Sequence, residues 1–197
     1  MFNILIAELG RIGRRYLEGL SKSNNKLKIY LFDTSSNSLQ EAKKCWKDVN
    51  CLESKHKLYL ANSFDQIPKE IDLAIVSTTA DVRVGLVKKM VEQRIAVRYW
   101  LLEKVLAQSP EQIDEWYEIL KNACGVWVNT NRRILLWYQQ LREVLSLQLP
   151  LKVHVGNNFL GLACNGVHFL DLVSWLSNEK LLTIETNGFG KNKSVKR

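Results

Sequence analysis

Phe2-Asn3-Ile4-Leu5-Ile6-Ala7-Glu8-Leu9-Gly10-Arg11-Ile12-Gly13, followed by a helical run and then by Leu27-Lys28-Ile29-Tyr30-Leu31-Phe32-Asp33, decides how this chain folds. The apolar run 2–7 predicts a buried strand. Residues 8–13 stand where a G-x-G-x-x-G turn belongs, Arg14 to Leu20 begins a helix, and 27–32 predicts a second strand closed by an acid. A βαβ unit built in that order holds a dinucleotide, with the diphosphate at the helix N-terminus and the adenosine ribose on the acid. Asp33 follows Gly13 by 20 residues, the offset of about 20 expected for that acid.

The turn departs from its pattern at one place. Glu8 replaces the first glycine, which normally permits a tight turn, and puts a carboxylate where it faces the diphosphate. Gly10 lets the backbone approach the phosphates, and Gly13 lets helix and strand pack closely. Gly10, Arg11, Ile12, Gly13 and Asp33 are therefore the expected cofactor-binding residues. The alternative is a Rossmann-like unit that has lost its cofactor.

The 197 residues, 46% hydrophobic and 24% charged, suit one globular domain and part of a second. No apolar run is long enough to span a bilayer, and no basic leader precedes the first strand, so the expectation is a cytoplasmic chain without membrane partners. The four cysteines, Cys45, Cys51, Cys124 and Cys164, form no C-x-x-C pair and have no histidine at zinc-ligand spacing. They read as buried free thiols, and no metal site is expected. The formal charge of +8 favours an anionic small ligand. Lys and Arg are scattered except in the tail 191–197, and no nucleic-acid-binding motif accompanies them, so nucleic acid is not an expected partner.

Beyond Asp33 the alternation continues. A helix is predicted over 38–49, a strand over 57–61, a turn over 63–68 and a central strand over 71–77. Asp81 is expected to cap the next helix, whose apolar positions are Val84, Val87, Val91 and Ile95. A strand follows over 96–102. Ser109 and Pro110 open a helix as N-cap and N1, with Ile113, Trp116, Tyr117, Leu120 and Ala123 as its buried face. Gly125 ends it, and 126–128 makes a sixth strand. Six strands alternating with helices mean a doubly wound parallel α/β sheet, with ligand at the carboxyl ends of the strands near Gly10, Asp33, Thr78 and Lys104. A helix over 131–147, a strand over 151–155, a helix over 163–176 and a strand over 181–185 complete the reading.

Four stretches together resemble the Gfo/Idh/MocA oxidoreductases. Residues 10–17 are similar to that family's glycine turn, and Val76-Ser77-Thr78-Thr79-Ala80-Asp81-Val82 to its S-T-P-T-D-V segment. Leu102-Glu103-Lys104-Val105-Leu106-Ala107 is similar to its E-K-P-L-A signature, and Gly166-Val167-His168-Phe169-Leu170-Asp171 to its G-x-H-x-x-D helix. The resemblance implies an NAD(P)-binding Rossmann domain over 1–130, a partial α+β substrate and oligomerisation domain over 131–190, and a basic tail over 191–197. It also implies hydride transfer between a nicotinamide cofactor and a sugar or nucleotide-sugar hydroxyl or carbonyl. Lys104 and His168 take the catalytic positions, the histidine as proton acceptor and the lysine as hydrogen-bond donor to the reacting oxygen. Thr78, Thr79, Glu103 and Lys104 join the cofactor set. Arg133, in a turn similar to N-x-R, joins Asn165 and Asp171 toward substrate. Asp33 favours NAD, because a carboxylate repels a 2′-phosphate; Ser35 and Ser36 soften that preference and leave NADP open.

Val105 stands where the family has proline, and Cys164 where many members have an assisting aspartate. The stretch 157–166 looks like a branch of surface-polysaccharide and nucleotide-sugar enzymes. The substrate sheet is expected to be incomplete, leaving an apolar face for a second copy or for another chain that completes the domain. A non-catalytic nucleotide-binding or interaction module is the competing expectation.

Overall fold

Ile4 to Ala7 are buried without exception, as side chains are in a strand covered on both faces. This strand, β1 (Phe2–Ala7), lies inside a sheet whose remaining strands are β2 (Leu27–Phe32), β3 (Lys57–Ala61), β4 (Glu70–Val76), β5 (Ala96–Leu102) and β6 (Gly125–Val128). All pairings are parallel, in the order β3-β2-β1-β4-β5-β6. The computed structural model describes residues 1–49, 55–145, 151–155 and 162–180.

Strand order reverses between β1, whose Ile4 lies opposite Ile29 of β2, and β4, whose Leu73 lies opposite Ile4 on the other side. Parallel strands need crossovers, and these are α1 (Arg11–Ser21), α2 (Ser36–Val49), α3 (Ala80–Glu92) and α4 (Pro110–Leu120). Alternate residues of β1 feed two cores. Ile4 and Ile6 pack with Leu17, Leu39, Ala42 and Trp46, while Leu5 and Ala7 pack with Val84, Val87, Met90, Trp100 and Trp116. A side chain as fully buried as Leu5 stabilises the sheet by about 1.5–3 kcal/mol. The expected doubly wound α/β sheet is thus the observed one.

Several local expectations need correction. Helix α1 starts at Arg11 rather than Arg14, directly on Gly10. Thr79, not Asp81, is the N-cap of α3; Asp81 sits in the first turn, where the Thr79 hydroxyl and nearby backbone N–H groups hold its carboxyl below the usual range. Met90 takes the buried place expected of Val91. On α4 only Trp116 and Leu120 are buried, whereas Ile113 is 48% and Tyr117 72% exposed. Four residues apart on a single turn, Trp116 and Leu120 fill the available groove, and the positions beside them look outward. Cys45 is half-buried and Cys124 exposed, so neither is a core thiol; Cys51 lies outside the described residues, as does the side chain of Cys164.

The chain divides into two compact units, Met1–Asn129 and Thr130–Arg197. In the second, a 3-10 turn (Asn131–Ile134) precedes α5 (Leu136–Leu145), and α6 (Leu162–Ser177) follows. Helix α5 is thus shorter than the span 131–147, and Ile134 is exposed. Tyr138, Leu172 and Leu176 form this unit's core, against which Leu141, Leu145, Leu151 and Trp175 pack. Residues 151–155 are not a strand. Their alternating pattern has no described partner to complete a hydrogen-bonded ladder, and Leu151 joins the helical core instead. The strand expected over 181–185, the tail 191–197 and the stretch 156–161 lie outside the described residues. No helix among those described is long and apolar enough to cross a membrane, and no group of three or more His, Cys, Asp or Glu among them is placed to hold a metal ion.

Candidate functional site

The first unit gathers its chemistry at the carboxyl ends of β1, β2, β4 and β5. Helix α1 begins there with Gly10 as its N-cap, no side-chain cap and no acidic residue in its first turn. Its leading N–H groups therefore form an anion-attracting end. Arg11 and Ile12, both exposed, occupy this turn. A Cβ on Gly13 would stand 2.1 Å from the Glu8 carbonyl oxygen and 2.9 Å from Ser77 Oγ. The Ser77 hydroxyl donates to the Ala7 and Glu8 carbonyls at 3.0 and 2.7 Å. Only glycine lets the helix approach the crossing of β1 and β4 so closely.

Glu8 adopts the left-handed backbone, φ 73°, at the place where the motif has glycine. Its N–H donates to the Phe32 carbonyl at 2.9 Å. Its carboxylate lies over Gly10, since a Cβ there would stand 2.5 Å from Glu8 Oε1. Burial and the neighbouring Asp33 charge push the Glu8 carboxyl up; the Gly10 N–H and the Arg83 guanidinium oppose that shift.

Asp33 is buried just beyond β2. One carboxylate oxygen accepts the Leu9 N–H and the other the Ser35 N–H, each at 2.8 Å, tying the end of β2 to the glycine turn. Asp33, Glu8 and Thr78 line a cavity of about 530 Å³ walled by Phe32, Phe64, Val82 and Leu86, with Lys89 also in its lining. Thr78 Oγ1 is buried with no hydrogen-bond partner among the described residues. Thr79 caps the following helix without a side-chain bond to its backbone, its hydroxyl facing the Asp81 carboxyl.

Between this cavity and the end of β5 stands Arg83, 1% exposed. Its guanidinium donates to the carbonyls of Thr78, Glu103 and Val105. Lys104 is the residue between the last two, so Arg83 grips the backbone on each side of it. The Lys104–Val105 peptide bond is cis. The Glu103 carboxylate accepts the Tyr16 hydroxyl at 2.5 Å and Asn129 Nδ2 at 2.6 Å, so α1 and the end of β6 are fastened to the same turn. Burial first, and then the bond to Glu103, push the Tyr16 hydroxyl well above the ordinary tyrosine range. Sequence reasoning missed Arg83, Tyr16 and Asn129. Arg83 did carry a signal, because it falls on one helical face with Val87 and Met90, both buried.

The second unit holds the other predicted residues. Arg133 forms a two-pronged pair with Asp171, one bond measuring 2.6 Å. Asp171 lies three residues beyond His168 on α6, and Asn165 three before it, so the three neighbour one another along the helix. Arg132 lies over the Phe169 ring, 4.3 Å from its centroid, and donates to the Tyr138 hydroxyl at 3.3 Å. The structure therefore brings Gly10, Gly13, Asp33 and Thr78 around one crevice and links Glu103 and Lys104 to it through Arg83. Arg133, Asn165, His168 and Asp171 form a separate group in their own unit.

The first unit's residues fit a dinucleotide. The apolar walls suit an adenine, the Asp33 carboxylate suits ribose hydroxyls, and the glycine turn offers N–H groups to a diphosphate once the Glu8 carboxylate turns aside from Gly10.

Residues 2–130 match a family model described as an oxidoreductase family with an NAD-binding Rossmann fold. The fold is similar to that of scyllo-inositol dehydrogenase from Lactobacillus casei, solved with bound NAD(H) and scyllo-inositol, at 14% identity and a TM-score of 0.65, covering 90% of this chain and 56% of that one. A Gfo/Idh/MocA family oxidoreductase from Vibrio cholerae is similar at 18% identity and 0.63, covering 90% and 57%. Gal80p, a transcriptional regulator from Kluyveromyces lactis, is similar at 16% and 0.62, covering 89% and 51%. The chain thus spans about half the length of these structures, and the comparison with curated proteins found no match. By its matched domain, the chain belongs to the Gfo/Idh/MocA oxidoreductase family, with that family's NAD-binding Rossmann fold.

Proposed function

We propose that this chain binds NAD at the glycine turn and takes part in hydride transfer between the nicotinamide and a hydroxyl or carbonyl of a sugar or nucleotide-sugar. The observation that supports it best is the carboxyl edge of the first unit, where Asp33 is bonded to the glycine turn, and Arg83 ties the Lys104 turn to Thr78 at the cavity wall. The nicotinamide supplies the hydride acceptor or donor when NAD is bound. Asp33 holds the ribose hydroxyls, Thr78 and Thr79 flank the chain of the coenzyme, and Glu103 keeps the Lys104 turn in place. Lys104, as an ammonium, polarises the reacting oxygen. His168, through its imidazole, exchanges the hydroxyl proton. Asp171 is committed to Arg133, so its proposed part is to fix the helix face that carries His168. Asn165 and Arg133 are proposed as substrate contacts.

The same reading assigns 1–130 to the coenzyme, 131–190 to substrate and oligomer, and 191–197 to a basic tail. It places the reaction in sugar metabolism, with surface-polysaccharide biosynthesis as the more specific setting and the cytoplasm as its location. The inositol substrate of the L. casei enzyme belongs to the same polyol chemistry. One observation favours a second reading, a non-catalytic binding module: the Glu8 carboxylate lies over Gly10. A fold relative titled a transcriptional regulator accords with it.

The test is turnover. The purified chain is incubated with NAD and a panel of sugars, inositols and nucleotide-sugars, and NADH is followed by absorbance in the parent, Lys104→Ala and His168→Ala proteins. Turnover that falls at least ~100-fold in both variants is the expected result, general acid–base groups contributing on that order or more. Equal turnover in all three proteins removes the catalytic roles. NADH binding without turnover on any substrate leaves the module reading.

A further inference from the structure

The glycine turn contains its own anion. Glu8 is pinned in the left-handed conformation by its N–H bond to Phe32 and by the Ser77 hydroxyl on its carbonyl. From there its carboxylate lies over Gly10, whose N–H favours the charged form of Glu8 and is a donor that a diphosphate at this turn would need. Carboxylate and diphosphate are both anions seeking the same end of α1, and the low dielectric of a half-buried site makes their coexistence costly.

The groups around Glu8 do not neutralise it. Asp33, at the end of β2, has the same charge. Arg83 of α3 has the opposite charge but is spent on the carbonyls of Thr78, Glu103 and Val105 and shared with the Glu103 carboxylate. Lys89, also on α3, lines the same cavity as Glu8 but is not among the groups that shift its carboxyl. Arg14 of α1 is engaged with Glu41 at 2.5 Å and with the Leu9 carbonyl. Ser77 and Thr78, beyond β4, are uncharged.

We propose that Glu8 is a built-in competitor for the coenzyme diphosphate, so that NAD binding is coupled to uptake of a proton at Glu8. Ionised, the carboxylate keeps its negative charge over Gly10, where the diphosphate would lie. Protonated, it no longer repels the incoming diphosphate. The direction in which its surroundings push Glu8 agrees, since they favour the neutral acid. This inference rests on the reading that NAD binds at the glycine turn, and its test separates the two.

NADH is titrated calorimetrically into the parent protein, Glu8→Gln and Glu8→Gly across ~pH 5.5 to ~8.5, in two buffers of different ionisation heat, with folding checked by circular dichroism. The parent Kd is expected to rise by up to about tenfold per pH unit above the Glu8 pKa, with about one proton taken up per NADH bound. Glu8→Gln keeps the side-chain shape and Asp33 but has nothing to titrate, so its Kd stays flat. Glu8→Gly, which also suits the left-handed backbone, stays flat as well. At the alkaline end both bind at least about tenfold tighter than the parent. Parent and variants with equal, pH-independent affinities would overturn the inference and leave the coenzyme site standing. Binding by Glu8→Gly alone at every pH would also overturn it, because protonation would then fail to open the turn. No binding by any of the three would refute the coenzyme reading itself.

Discussion

Gly13 and Gly19 lie on one helix, and the structure gives their alanine variants opposite signs. In an exposed helix interior, alanine is better than glycine by about 0.8–1.0 kcal/mol. Gly19→Ala meets nothing within 4 Å, so it should keep most of that gain. Gly13→Ala gains the same propensity but places its Cβ 2.1 Å from the Glu8 carbonyl oxygen, 3.1 Å from the Glu8 carbonyl carbon and 2.9 Å from Ser77 Oγ. Two of these neighbours are backbone of the turn leaving β1, so α1 must move outward by roughly 1 Å to reach ordinary contact. Such overpacking costs about 1–3 kcal/mol. The Ser77 hydroxyl, its one proton shared between the Ala7 and Glu8 carbonyls, is disturbed as well, a bond worth about 0.5–1.5 kcal/mol. The net expectation for Gly13→Ala is a loss of about 1–3 kcal/mol, against a gain of about 0.5–1 kcal/mol for Gly19→Ala. Urea unfolding followed by circular dichroism measures both, and the midpoints should move in opposite directions at unchanged slope. Midpoints that move together would refute the close approach of helix and turn at Gly13.

Three further outcomes follow from the same geometry. Arg83→Met removes a buried guanidinium from three carbonyls and from the Glu103 charge, and should lower the unfolding free energy by about 3–5 kcal/mol; a loss under about 1 kcal/mol in urea unfolding would mean that the clamp is dispensable. Glu8 has its pKa raised above the ordinary carboxylate value of 4.5, so its contribution is fully present below that value and is lost as pH rises through the folded pKa. The parent should therefore become less stable relative to Glu8→Gln as pH climbs above about 4.5, and thermal melts at acid and neutral pH that show a constant difference would contradict this. Asp33→Asn removes the charge that repels a 2′-phosphate, so the preference for NADH over NADPH should shrink by about tenfold or more, the worth of a charged hydrogen bond; an unchanged ratio of Kd values would take the ribose away from Asp33.

The sheet was legible because its signals are periodic and local. Largely apolar runs at 2–7, 27–32, 71–76 and 96–102, each with a single polar residue, are what a strand in a mostly covered sheet requires, and Ser109-Pro110 marks a helix start by the chemistry of its own backbone. What escaped depends on long-range contact. Ile113 and Tyr117 share a helical face with Trp116 and Leu120 in sequence, yet only the latter two are buried in the core with Trp100 and Leu102 of β5. Alternation at 151–155 looks like a strand but says nothing about a partner strand. Asp33 and the glycine turn could be read from spacing alone. The direction of the Glu8 side chain could not, because a departure from a motif shows which contact is lost and not which is made. Arg83 joins residues 78, 103 and 105, a connection visible only once β4 and β5 lie side by side.

The most direct test is a crystal structure of the chain grown with excess NADH. The adenine should lie between Phe32, Phe64, Val82 and Leu86, the ribose hydroxyls should rest on Asp33, and the diphosphate should sit over Gly10 with the Glu8 side chain displaced. A cavity without coenzyme density, with the Glu8 carboxylate still lying over Gly10 at saturating NADH, would contradict it.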